Sequence, residues 1–119
     1  VCSAKLILVV EDDKRQREMI EKFLRKNDFM VLTAATGREG MELAKSNLPN
    51  LIIMDYVMPE MDGLTTLRIL KQNKTTKDIP VIMISGDDIN PLGCSFLKKP
   101  FSFSDLKVIL DVLNREYSI

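Results

Sequence analysis

At 119 residues and 45% hydrophobic content, the chain has the size and apolar share of a single globular domain with one core. Its 17 Lys and Arg balance 17 Asp and Glu, so no overall field draws it towards nucleic acid, a membrane surface or an acidic ligand, and binding has to come from local sites. The absence of His excludes imidazole bases, Ser/His and Cys/His couples and His zinc sites, and Cys2 and Cys94 lack metal-ligand spacing; chemistry must rest on carboxylates, Lys and hydroxyls.

Val1 to Ile7 is shorter than the apolar core of a signal peptide. No later apolar run approaches the roughly 20 residues that span a bilayer. A soluble, cytoplasmic protein is expected, and the start at Val1 rather than Met fits processing or a piece of a longer protein.

Lys5 to Val10 reads as a buried strand that ends in three acids, Glu11, Asp12 and Asp13. Met19, Ile20, Phe23 and Leu24 then recur at helical spacing, with Asp13 and Gln16 placed as a helix start. Met30 to Ala34 is a second strand. It runs into Thr36-Gly37-Arg38-Glu39, a capping-box pattern, and a helix carrying Met41, Ala44 and Leu48. Pro49 and Asn50 break the chain before Leu51-Ile52-Ile53-Met54, an apolar run expected to be buried on both faces, and Asp55 follows where that strand leaves the sheet. Gly63 opens a third helix on Leu64, Leu67 and Leu70, and the polar stretch Lys71 to Asp78 reads as a loop. Val81 to Ile84 is another buried strand, ending at Ser85-Gly86-Asp87-Asp88. Only nine residues, Gly86 to Cys94, precede a short fifth strand, Ser95 to Lys98; with Asn90, Pro91 and Gly93 among them they are too broken for an ordinary helix. After Lys99-Pro100-Phe101 a last helix starts near Ser102, capped with Asp105, and buries Leu106, Ile109, Leu110 and Leu113. The two Cys read as free, partly buried thiols, and the seven Met mainly as core filler.

Strands alternating with helices imply parallel pairing through right-handed crossovers, hence an α/β fold with its sheet covered on both sides. Ligands of such sheets bind beyond the carboxyl ends of the strands. Those ends carry Glu11, Asp12, Asp55, Ser85 and Lys99. Carboxylates converging there repel; at an effective dielectric near 20, each pair about 4 Å apart costs on the order of 4 kcal/mol. A cation has to compensate, and oxygen ligands without imidazole or thiolate favour a hard ion, Mg²⁺ first. A carboxylate on Mg²⁺ beside a Lys and a hydroxyl is equipped to attack phosphorus and form an acyl phosphate.

Ile7-Leu8-Val9-Val10-Glu11-Asp12, Asp55 with Met58-Pro59 and Met61-Asp62-Gly63, Ile79-Pro80-Val81 to Ser85, and Lys99-Pro100-Phe101 lie in one order and at one spacing that resemble the receiver domains of two-component response regulators. The resemblance covers essentially the whole chain, 1–119, as one receiver domain, similar to single-domain chemotaxis-type receivers. It implies a doubly wound, flavodoxin-like, five-stranded parallel sheet in the order 2-1-3-4-5, an order taken from the resemblance and not from the residues. It also implies that Asp55 is the phosphoacceptor, that Asp12 holds Mg²⁺ directly and Glu11 through water, and that the Val57 backbone carbonyl is a further metal ligand. Ser85 becomes the switch hydroxyl, Lys99 the phosphate-binding Lys, and Phe96 the switch aromatic, while Val57 and Gly86 offer backbone groups to the phosphoryl. Donors are expected to be a histidine kinase or a histidine phosphotransfer protein, docking on the first helix and the loops around Asp55 and Lys99. The output partner is open, with neither direct nucleic-acid binding nor a membrane expected. The implied role is that of a signalling domain that catalyses its own Asp phosphorylation and dephosphorylation, not a metabolic enzyme. Asp87 and Val57 flank the path of hydrolytic water without an amide to position it, so self-dephosphorylation is expected to be unremarkable.

One interval departs from the family. Ser85 to Lys99 is short by roughly two turns of helix, so the family's fourth helix should be missing or reduced, which places signal output through that face in question. Two other readings remain. An aspartate-nucleophile phosphatase would carry a second Asp two residues after the first, where this chain has Val57. A degenerate receiver would bind a partner without phosphorylation.

Overall fold

The computed structural model describes residues 5–89 and 94–117. The described elements are β1 (Leu6–Val10), α1 (Lys14–Lys26), β2 (Met30–Ala34), α2 (Gly37–Asn47), β3 (Leu51–Asp55), α3 (Gly63–Gln72), β4 (Val81–Ser85), β5 (Ser95–Lys98) and α4 (Phe103–Tyr117). The sheet order is β2-β1-β3-β4-β5 with every pair parallel, the doubly wound arrangement expected from the resemblance.

Strand alternation builds two cores. Ile7 and Val9, Leu51 and Ile53, and Ile82 and Ile84 face one side, where Ile20 and Leu24 of α1 and Leu106, Leu110 and Leu113 of α4 cover them. Leu8 and Val10, Ile52 and Met54, and Val81 and Met83 face the other, under Ala44 of α2 and Leu67 and Leu70 of α3. Each such Val, Leu, Ile or Met side chain stabilises the fold by roughly 1.5–3 kcal/mol relative to exposure. β3 and β4 are buried throughout and lie inside the sheet, whereas β2 and β5 carry exposed residues, Met30 and Lys98, and form its edges.

Helix starts follow their local chemistry. Asp13 Oδ1 accepts from the amides of Arg15 and Gln16. Thr36 Oγ1 accepts from Glu39 N–H, but the returning Glu39 carboxylate takes the amide of Ala35 rather than that of Thr36. Asp62 caps α3 through Thr65 N–H, and Ser102 and Asp105 cap α4 reciprocally.

Three local expectations shift. α3 continues through Gln72, so Lys71 is helical, and its ammonium reaches forward to the carbonyl of Lys77 at 3.1 Å. The turn that follows buries Thr76, whose hydroxyl donates to Leu70 O at 2.7 Å. Leu48 is the left-handed cap of α2 (φ 47°) and is exposed, not part of its buried face. Met19 and Met30 are exposed while Met54, Met58 and Met83 are buried, so only some of the Met fill the core. Cys94 is a free, half-buried thiol that burial pushes up to about 11, and Cys2 lies outside the described residues.

Among the described residues the fourth helix is α4, which follows β5. Between β4 and β5 the described residues 86–89 form a bend and irregular chain, not helix. The remainder of that interval, 90–93, on which the expectation of a missing or reduced helix also falls, lies outside the described residues. Among the described residues no helix is long and apolar enough to cross a membrane.

Candidate functional site

Register decides what meets at the carboxyl edge of the sheet. Val10 pairs with Met54, so the next residues, Glu11 and Asp55, emerge side by side. Asp55 pairs with Ile84 and Ser85 with Lys98, which brings Ser85 and Lys99 to the same edge. Alternation along the strands carries Glu11, Asp55 and Lys99 towards the face covered by α1 and α4, and Ser85 towards the face under α2 and α3.

The side chains converge accordingly. Lys99 Nζ lies 3.1 Å from Asp55 Oδ1 and 3.6 Å from Glu11 Oε1. Carboxylate oxygens of Glu11, Asp12 and Asp55 all lie within 4.8 Å of one another. Asp55 and Glu11 are buried, 5% and 2% exposed, whereas Asp12 is exposed at the mouth of the site. Among the described residues Lys99 is the only cation paired with this cluster, and it meets two of the three acids.

The imbalance is visible in protonation. Glu11 is pushed up to about 8, first by burial and then by the neighbouring Asp55 charge, while Lys99 and the Asp13 amide at 3.3 Å pull the other way. Burial acts against the charged form of Lys99, but its hydrogen bond to Asp55 and the charges of Glu11 and Asp55 outweigh it, and Lys99 is raised. Glu11 Oε1 is buried with no hydrogen-bond partner among the described residues. An orphaned buried carboxylate oxygen within a cluster of three acids fits a hard divalent cation such as Mg²⁺.

The remaining expected residues take supporting places. Ser85 is buried, and its Oγ accepts the amide of Asp87 at 2.9 Å, which leaves the hydroxyl proton available to an acceptor. A side chain at Gly86 would point into open space. The Val57 side chain is exposed, and Phe96 is half-buried on β5 opposite Met83, outside the carboxylate cluster. A groove of about 450 Å³ opens beside Lys99, lined by Arg15, Gln16 and Met19 of α1 and by Phe101 and Phe103.

Arg17 escaped the sequence reading. Its Nη1 donates to the carbonyls of Glu11 at 2.9 Å and Asp12 at 3.4 Å. The signal was a run of cations, Lys14, Arg15 and Arg17, in the first turn of a helix, where the dipole disfavours positive charge unless it finds acceptors.

Residues 7–111 match the family model described as the response regulator receiver domain. The chain is 32% identical over 117 residues to response regulator MprA of Mycolicibacterium vanbaalenii, covering 92% of this chain and 50% of that protein. It is 35% identical over 127 residues to response regulator PleD of Caulobacter vibrioides, covering 92% and 28%. The chain thus spans half or less of these curated relatives. The structure of the chemotaxis response regulator CheY4 of Vibrio cholerae superposes with a TM-score of 0.86 at 27% identity, covering 93% of this chain and 99% of that one.

Proposed function

The chain belongs to the response regulator receiver family of two-component signalling, and on that premise we propose that Asp55 is its phosphoacceptor. The observation that carries the reading is the ammonium of Lys99 held 3.1 Å from a buried Asp55 carboxylate within a cluster of three acids. The chain is read as one receiver domain, 1–119, working in the cytoplasm.

Asp12, Glu11 through water, Asp55 and the Val57 carbonyl would hold Mg²⁺. Bound there, the ion would neutralise charge on the phosphoryl oxygens during transfer. The residues supply the rest. A carboxylate oxygen of Asp55 bonds to phosphorus as the P–N bond to the donor imidazole breaks, the electron pair leaving with the nitrogen. Tyr56 N–H donates to Ile84 O at 2.8 Å and Gly63 N–H to Tyr56 O at 2.8 Å, so the backbone that presents Asp55 is fixed on both sides. Lys99 stays protonated and moves its hydrogen bond to a phosphoryl oxygen. Ser85 donates its free hydroxyl proton to another, and the Gly86 backbone follows it inward. Phe96 on the neighbouring strand takes up that movement as the switch aromatic.

The donor is a phosphohistidine of a histidine kinase or histidine phosphotransfer protein. The groove between α1 and Phe101 and Phe103 opens next to Lys99 and is the surface on which such a donor would dock. Hydrolysis of the phosphoryl group by the same site returns the domain to its starting state, so any catalysis acts on the domain itself.

Intact mass after incubation with Mg²⁺ and acetyl phosphate tests the reading. The parent should gain one phosphoryl group, and Asp55→Asn and an EDTA-treated sample should gain none. A folded parent that binds Mg²⁺ and gains nothing would point instead to a receiver that binds its partner without phosphorylation.

A further inference from the structure

We propose that Arg17 is a positioning residue for the cation site: through the carbonyls of Glu11 and Asp12 it fixes the turn from which both carboxylates project. The proposal rests on the reading of Glu11, Asp12 and Asp55 as the cation site.

The geometry is specific. Glu11 N–H still donates to Ala34 O at 3.0 Å, so the residue begins its turn from the end of the sheet ladder. Beyond that point the strand partners end, and the carbonyls of Glu11 and Asp12 need other donors. Arg17, in the first turn of α1, supplies one guanidinium nitrogen to both. Its own amide donates to Asp13 O at 2.9 Å, and Asp13 caps the helix through Arg15 and Gln16. The turn is therefore held to the helix at successive residues, and Arg17 is the one side chain among these groups that spans two of them.

The charge is directed as usefully as the hydrogen bonds. Among the described residues Arg17 makes no ion pair within 4 Å, so its guanidinium meets backbone oxygens and leaves the Glu11 and Asp12 carboxylates to the cation. A neutral or shorter donor would leave carbonyls of a half-exposed turn to water, and the separation of the two carboxylates would no longer be set. Groups that orient metal ligands without touching the ion commonly change affinity by about 10–100-fold when removed.

The test is Mg²⁺ titration followed by calorimetry and by the amide resonances of Asp12 and Asp13, in the parent, Arg17→Met, Arg17→Lys and Arg25→Met. Met keeps the aliphatic stem. Lys can reach one carbonyl at a time. Arg25→Met is the control, because Arg25 Nη2 also donates to a backbone carbonyl, Val31 O at 3.0 Å, and that carbonyl lies on β2, outside the acidic turn.

Arg17→Met should bind Mg²⁺ about tenfold more weakly, Arg17→Lys should fall between it and the parent, and Arg25→Met should match the parent. The Mg²⁺ concentration for half-maximal phosphorylation by acetyl phosphate should rise by the same factor, with the rate at saturating Mg²⁺ recovered. Affinity of Arg17→Met equal to the parent, or an equal loss in Arg25→Met, would overturn the proposal. If Arg17→Met fails to fold, Arg17→Lys decides: parent-like affinity overturns it. A parent that does not bind Mg²⁺ at all is a failure of the cation-site reading itself, and is seen before any variant is compared.

Discussion

The amide of Lys99 donates to the carbonyl of Ser85 at 2.7 Å, a bond that extends the β4–β5 ladder one residue past its last pair, Ser85 with Lys98, and ties together the backbones of the hydroxyl and the ammonium proposed to meet one phosphoryl group. Displacing either residue along the sheet would break that bond. On the proposed reading, a rise of the Ser85 turn on phosphorylation would pass into β5, where Phe96 lies three residues before Lys99.

Lys99 is the cation that the cluster relies on when no metal is bound. Lys99→Met leaves buried Glu11 and Asp55 facing each other, which should cost about 1–3 kcal/mol of stability in EDTA, reduced from the fully buried case by the partial exposure of the ammonium. Saturating Mg²⁺ supplies a replacement charge, so the deficit should shrink in urea unfolding with Mg²⁺ present. Phosphorylation should be lost in both conditions. Equal stability of parent and variant in EDTA would show that Lys99 does not offset the two carboxylates.

Glu11 sets a pH dependence. Its carboxyl sits at about 8 in the folded protein against an ordinary 4.5, so between these values the folded state keeps a proton that the unfolded chain has lost. Its contribution to stability is complete below about 4.5 and is lost as pH rises through about 8. The metal-free protein should therefore unfold more readily at pH 8 than at pH 6, by at most about 1.4 kcal/mol per pH unit. Glu11→Gln should flatten this slope. On the cation-site reading, Mg²⁺ binding would expel the proton, so affinity should increase with pH over the same range and calorimetry in buffers of different ionisation enthalpy should register proton release. A slope of opposite sign in EDTA would rule out a protonated Glu11.

Gly63 and Gly86 should respond differently to the same substitution. A Cβ at Gly63 would lie 2.6 Å from the carbonyl oxygen of Asp55 and 2.7 Å from Met83 Sδ; the sulfur can swing away, but the backbone oxygen belongs to the strand that presents the acceptor. Gly63→Ala should cost about 1–3 kcal/mol and slow phosphorylation by acetyl phosphate. At Gly86 nothing lies within 4 Å, and Gly86→Ala should change stability by less than about 0.5 kcal/mol. Thermal unfolding of the pair, with phosphorylation rates, checks both; a parent-like Gly63→Ala would mean that the loop after β3 can move without disturbing Asp55.

Much of this protein was legible along the chain because its signals are local. Apolar runs such as Leu51 to Met54 mark buried strands, and Asp13, Thr36 and Ser102 with Asp105 mark helix starts through atoms only two or three residues away. Strand ends already gathered Glu11, Asp12, Asp55, Ser85 and Lys99 at one edge; resemblance then supplied the strand order, which no local pattern contains, and the role expected of each. Where two local rules competed, the sequence was ambiguous: Lys71 is polar enough for a loop yet helical, and Leu48 is apolar enough for a buried face yet ends its helix in a left-handed conformation.

Tertiary structure alone decided the state of the site. The elevation of Glu11 depends on burial and on Asp55 arriving beside it through the pairing of Val10 with Met54, and neither follows from the acid's neighbours in sequence. The reach of Arg17 back to the carbonyls of Glu11 and Asp12, six and five residues earlier, likewise depends on the path of the turn between β1 and α1. Periodicity and capping are fixed by residues a few positions apart, and so can be read from the chain; desolvation and charge pairing are set by strands that meet only after folding, and so belong to the structure.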